Sequence, residues 1–134
     1  MDLRERVSQA LVWLRYGVFL VMLMWTLDKF VNPGHASGVF STFYGISLPS
    51  NSILYGLATI ELFIILGFVL GIYKTWTYGM VLVLHGISTF SSYAQYLSPF
   101  ENLLFFAAWP MLAACYVLFV LRDLDNQWIL DFGN

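Results

Sequence analysis

Four stretches of about 20 predominantly apolar residues follow one another along this chain, each long enough to cross a bilayer as a helix. They run over about 8–31, 51–71, 75–96 and 99–121. Asn32-Pro33-Gly34 stops the first, and Leu48-Pro49 precedes the second. Ser98, Pro99 and Glu101 read as a capping box with proline at the first helical position of the fourth. Lipid-facing backbone must satisfy its own hydrogen bonds, and no stretch alternates like a barrel strand, so the spans are helices. The expected fold is all-α: an antiparallel, up-down bundle of four transmembrane helices, forming a single membrane domain over residues 1–134. Composition agrees, since 60% of residues are hydrophobic and only 10% charged, against about 25% charged in ordinary soluble domains. The apolar run from Ala10 to Leu27 exceeds the roughly 7–15 residues of a signal-peptide core, so the first span is expected to be retained.

Arg4, Arg6, Lys74 and Arg122 flank the spans on one side, and Lys29 is the basic residue flanking the other. The positive-inside rule then places both termini and the turn between spans two and three in the cytoplasm. The loop Asn32–Ser50 faces outward. It carries Phe40, Phe43, Tyr44 and Ile46, too apolar for a solvated loop, and a short amphipathic helix or an interfacial dip is expected there. Trp13, Trp25, Trp76 and Trp128 fall near the interfaces, where belt anchoring accounts for them. Gly67 with Gly71, and Gly79 with Gly86, put small residues on one helix face and permit close approach of a neighbour. A net charge of −2 and the lack of a basic patch exclude nucleic acid as a partner. A lone cysteine, Cys115, excludes a disulfide framework.

Polar side chains at membrane depth are costly and usually face the bundle interior with partners. Glu61 sits mid-way along the second span and His85 mid-way along the third. Glu61 lies 12 positions before Tyr73 and His85 12 after it, so both stand at one depth, about 18 Å from the turn. They are candidates for a direct contact that could lock the bundle, hold a polar ligand group or relay a proton. Ser88, Thr89, Ser91, Ser92 and Tyr93 make the second half of the third span partly polar, with Tyr55, Thr59 and Asn102 placed to face it. Backbone bonding within the helix and a polar-lined cavity are the two readings of that run. Arg15 either snorkels to the inner interface or pairs inside the bundle. Asp28 and Lys29, adjacent and therefore about 100° apart, cannot share a face; one is expected to turn inward and one to anchor the outer loop. Pro110 is expected to kink the fourth span and free a carbonyl. His35 and His85 make no convincing metal pair, and no known catalytic motif is present.

Taken together, several of these motifs resemble the DoxX-like superfamily of small four-helix membrane proteins. They are Trp13-Leu14-Arg15, Leu27-Asp28-Lys29-Phe30, Leu48-Pro49, Ala58-Thr59-Ile60-Glu61-Leu62-Phe63, Leu66-Gly67, Leu70-Gly71, Lys74 and Arg122-Asp123-Leu124-Asp125. Ile129-Leu130-Asp131 stands where the family has a serine-leucine-aspartate ending. The resemblance implies a bacterial inner-membrane protein, in some members similar to a membrane subunit of a quinone-linked oxidoreductase.

Three functions stay open. The chain could be a membrane subunit of a redox assembly, offering a quinone head group the Glu61–His85 region while encoding no cofactor of its own. It could be an assembly factor acting through a partner subunit or a second copy in the bilayer. It could be a small proton-coupled transporter. Glu61, His85, Arg15, Tyr55, Ser88, Thr89 and Tyr93 are the candidate ligand or proton-relay residues, Asp28 and Lys29 the structural pair, and no catalytic or metal site is assigned.

Overall fold

The computed structural model describes residues 1–48 and 50–130. Pro49 of the Leu48-Pro49 pair and Asp131 of the Ile129-Leu130-Asp131 ending lie outside them. The described residues are helical throughout their regular structure, without strands. Helix α1 covers Leu3–Val31, α2 Pro33–Tyr44, α3 Asn51–Val69, α4 Lys74–Ser91, the single turn α5 Tyr93–Tyr96, and α6 Ala108–Val120. Two short 3₁₀ segments, Pro99–Glu101 and Leu103–Ala107, lead into α6. Three helical stretches are long and apolar enough to cross a membrane: Leu3–Val31, Asn51–Val69 and Leu103–Val120.

The long helices form a ring in which α1 packs on α3 and α6, and α4 packs on α3 and α6. The start of α1, the end of α3, the start of α4 and the segment after α6 meet at one end, so the helices alternate in direction. Helix α2 lies against α1, α3 and α4 at the opposite end. It is the short helix expected in the outer loop, with Pro33 in its first turn and Gly45 closing it in the left-handed region at φ 65°.

Inner stripes follow the helical period. On α1 the buried residues are Ser8, Leu11, Val12, Arg15, Val18, Met22 and Thr26, and on α4 Lys74, Tyr78, Val81, His85 and Thr89. Leu11, Val18, Met22, Ile65, Phe68, Tyr78, Val81, Cys115 and Leu118 form one apolar core. Helix α3 ends in a Schellman motif: Ile72 N–H bonds Gly67 C=O at 2.8 Å, Gly71 N–H bonds Phe68 C=O at 3.1 Å, and Gly71 takes φ 70°. On α4, a Cβ added at Gly79 would stand 3.4 Å from Phe119 and one at Gly86 3.8 Å from Leu112, so both glycines lie against α6. Gly67 has a tighter limit, 2.9 Å to Thr77 Cγ2.

Several local expectations change. Helix α4 ends at Ser91 rather than running through to Tyr96, because Ser92 leaves the helical region (φ −90°, ψ 21°). The fourth span does not begin in a capped α-helix. Ser98 makes no side-chain cap, and Asn102 Nδ2 donates to its carbonyl at 3.0 Å instead. Pro110 stands in the first turn of the α-helical part of the fourth span, which begins at Ala108 after a 3₁₀ segment, rather than at the middle of an α-helix. Proline in a first turn removes an N–H that has no intrahelical partner there, so it disrupts nothing.

Candidate functional site

The helix periods bring the inward-facing polar residues into three separate places. Near the α2 end, Glu61 receives two donors from α1: Thr26 Oγ1 at 2.8 Å and Lys29 Nζ at 3.1 Å. The same hydroxyl lies 2.7 Å from Met22 C=O, so its single proton is shared between the α1 backbone and the α3 carboxylate. Lys29 is thus the residue that turns inward. Its neighbour Asp28 points the other way and meets His35 Nδ1 of α2 at 2.6 Å, anchoring the outer helix. The two pairs differ in exposure. The Lys29 and Glu61 side chains are 14% and 17% exposed, whereas His35 and Asp28 are 62% and 33% exposed.

His85 belongs to a different helix pair. Its Nε2 lies 3.0 Å from the carbonyl of Ala108, across the α4–α6 contact. Among the described residues no hydrogen bond joins it to Glu61. Equal depth did not fix azimuth: Glu61 faces α1 and His85 faces α6. The hydroxyl run beyond His85 bonds to its own helix. Thr89 donates to His85 C=O at 2.8 Å, Ser91 to Ile87 C=O at 2.6 Å and Ser92 to Ser88 C=O at 3.3 Å. Tyr96 Oη closes the stretch on Thr89 C=O at 2.9 Å. Tyr93 is exposed, Thr59 bonds Tyr55 C=O, and Tyr55 stacks on Phe30 at 6.0 Å. The open groove of about 520 Å³ beside α4 and α6 is lined by Gly86, Phe90, Trp109 and Leu112 among others, without a charged side chain.

The densest polar cluster lies at the other end. Arg15 is fully buried and ion-paired with Asp125, also fully buried. Its second terminal nitrogen donates to the carbonyls of Gln127 at 2.7 Å and Trp128 at 3.1 Å. Tyr78 Oη donates to the other Asp125 oxygen at 2.6 Å. Lys74 Nζ donates to the carbonyl of Arg122 at 3.1 Å and to that of Asp125. Ser8 Oγ donates to Leu124 C=O at 2.6 Å, and Leu130 N–H to Leu70 C=O at 2.8 Å. The segment after α6 is thereby strapped across the bundle by side chains of α1 and α4 and the backbone of α3. Arg15 therefore pairs inside the protein instead of snorkelling. Sequence reasoning singled out Arg15 and Lys74 but missed Tyr78, Thr26 and Asp125. Tyr78 was findable, because it lies on the Lys74–Val81–His85 stripe.

A buried arginine with one carboxylate, two carbonyls and a tyrosine hydroxyl around that carboxylate is chemically quiet. Asp125 balances the Arg15 charge and most donors are used, with Arg15 Nε the exception among the guanidinium nitrogens. Among the described residues no group of three metal-ligating side chains occurs. The chain matches no family model, no curated protein and no solved structure.

Proposed function

We propose that the chain is a four-span membrane subunit, with both termini in the cytoplasm, that holds a partner protein in the bilayer and performs no chemistry of its own. The observation that carries this reading is the internal engagement of both mid-span ionisable groups, Glu61 by Lys29 and Thr26 and His85 by the Ala108 carbonyl. Each is engaged by a partner within the bundle, where a ligand or proton pathway would need a group free to change partners. The resemblance to DoxX-like proteins supports a bacterial inner membrane as the setting and a redox-linked assembly as the role in this reading.

The fourth crossing is α4. Its polar side chains Lys74, Tyr78, His85 and Thr89 are buried, while Val83, Ile87 and Phe90 are more than half exposed, an arrangement suited to lipid outside and protein inside. The orientation rests on charge. Lys74 and Arg122 share the end that holds the start of α1, with Arg4 and Arg6 in its first turns, and Lys29 lies towards the other end.

A ligand reading survives in one place. Lys29 and Glu61 retain some exposure, and a ring compound with a carbonyl group, such as a quinone, could accept from Lys29 there. Purification in native lipid discs followed by mass spectrometry separates the readings, with Glu61→Gln and His85→Ala prepared in parallel. A stoichiometric protein partner without a retained ring compound is expected. A ring compound held by the wild type and by His85→Ala but lost from Glu61→Gln would overturn the subunit-only reading.

A further inference from the structure

A second cleft opens on the outside of the strapped end, and nothing in the proposed subunit role uses it. It measures about 330 Å³ and lies between α1, through Gln9, Trp13 and Tyr16, and the strap, through Gln127 and Trp128. Trp13 and Trp128 are 77% and 76% exposed and stand on opposite elements. Trp128 takes φ 59°, a backbone region that disfavours any side chain and is held here by the Arg15 bond to its carbonyl. The same guanidinium bonds the Gln127 carbonyl and lies 5.4 Å from the centre of the Tyr16 ring, so a fully buried cation braces this side of the cleft.

The polar groups of the cleft include two indole N–H groups, two carboxamides that each bring an NH₂ and a carbonyl, and a phenol O–H, with no carboxylate among the described lining residues. A lining with this many donors complements a ligand rich in acceptors. The level is also informative. Gln9 and Trp13 sit where the charged first turns of α1, with Arg4, Glu5 and Arg6, give way to its apolar run, which is the head-group level of a spanning helix. Phosphate and ester oxygens are the acceptors available at that depth, directly above acyl chains that would lie along the apolar surface of α1.

We infer that the cleft between α1 and the C-terminal strap is a specific phospholipid site that binds the phosphate–ester region through Gln9, Gln127, Trp13 and Trp128. The strap then has a use beyond closing the bundle, since it supplies half of the binding walls. The inference rests on the membrane placement proposed above but not on a protein partner.

The test compares the full chain, extracted in mild detergent and delipidated by gel filtration, with Gln9→Ala/Gln127→Ala, Trp128→Ala and the control Trp76→Ala. Trp76 is 72% exposed and does not line the cleft. Native mass spectrometry and phosphorus analysis report bound lipid, circular dichroism reports folding, and alkaline extraction of the source membranes reports placement. The wild type and Trp76→Ala should keep stoichiometric phospholipid, while the two cleft variants, still folded, should lose it at least several-fold. Equal retention in all four, loss from the Trp76 control as well, or a wild type that carries no phospholipid would overturn the site. Release of the wild type by alkaline extraction would overturn the membrane placement and the site together.

Discussion

Arg15 and Asp125, 110 positions apart in the chain, meet as an ion pair in which neither side chain is exposed. The pair joins the first membrane helix to a segment with no regular structure of its own. A buried pair is strongly destabilising to break from one side, because the surviving charge has neither water nor a counter-ion. Arg15→Met or Asp125→Leu alone should cost about 3–5 kcal/mol of stability. The double variant should recover part of that loss, since neither member of the pair is left without the other, while the Tyr78 hydroxyl and the Gln127 and Trp128 carbonyls still lose their partners. Thermal unfolding of all three in one detergent checks the pattern; singles as stable as the wild type would mean that the strap is not held by this pair.

Tyr78 completes the coordination of Asp125, and Tyr78→Phe removes one donor without changing the shape of the core. A hydrogen bond to a charged group contributes about 1.5–3 kcal/mol, so a loss in that range is expected. In the Asp125→Leu background the same change should cost little, because its partner has gone. Equal losses in both backgrounds would show that the ring, packed against Phe68 at 4.9 Å, matters more than its hydroxyl.

Much of this frame was legible in the chain, and the reason it was legible is periodicity. Arg15 on α1, and Lys74, His85 and Thr89 on α4, lie at helical spacing with the apolar core residues. Partner choice was not legible. Glu61 and His85 share a depth but lie on faces turned to different neighbours, and depth counts cannot supply azimuth. Asp125 could not be told from Asp123 in a run of alternating charge; the structure buries the first and exposes the second. The 3₁₀ entry to α6 was hidden because Pro99 and Pro110 each allow either helix type nearby.

Gly71 offers a test of the strap that touches no charge. Its φ of 70° disfavours any side chain, and an added Cβ would fall 2.5 Å from Ile129 Cγ2 and 2.7 Å from Ile129 Cβ. Gly71→Ala therefore combines backbone strain of about 1 kcal/mol with a clash against the strap. The variant should melt lower, and its C-terminal segment should be cleaved faster by a protease added on that side. Adding Ile129→Ala removes the contact with Cγ2 but leaves the one with Cβ and the backbone strain, so only part of the strap protection and of the stability should return. Cleavage at the wild-type rate in Gly71→Ala would show that the strap does not rest on this turn.

At the opposite end, Lys29 and Glu61 tie α1 to α3 with Thr26 as a second donor to the same carboxylate. The three do not contribute alike. Lys29→Met leaves Glu61 with Thr26 but without a counter-charge at a site only 17% exposed, and Glu61→Gln leaves Lys29 unbalanced while keeping an acceptor for Thr26. Each single change should therefore lower stability, and the Lys29→Met/Glu61→Gln double should be more stable than the two losses added together. Coupling of about 0.5–3 kcal/mol is the range for residues in direct contact. Thr26→Val keeps the shape and the ion pair, and should cost only about 1 kcal/mol. The measurement is a double-variant cycle of thermal unfolding in one detergent. Strict additivity would mean that the two side chains do not depend on each other, and Glu61 would then be free to serve the ligand reading that its engagement by Lys29 argues against.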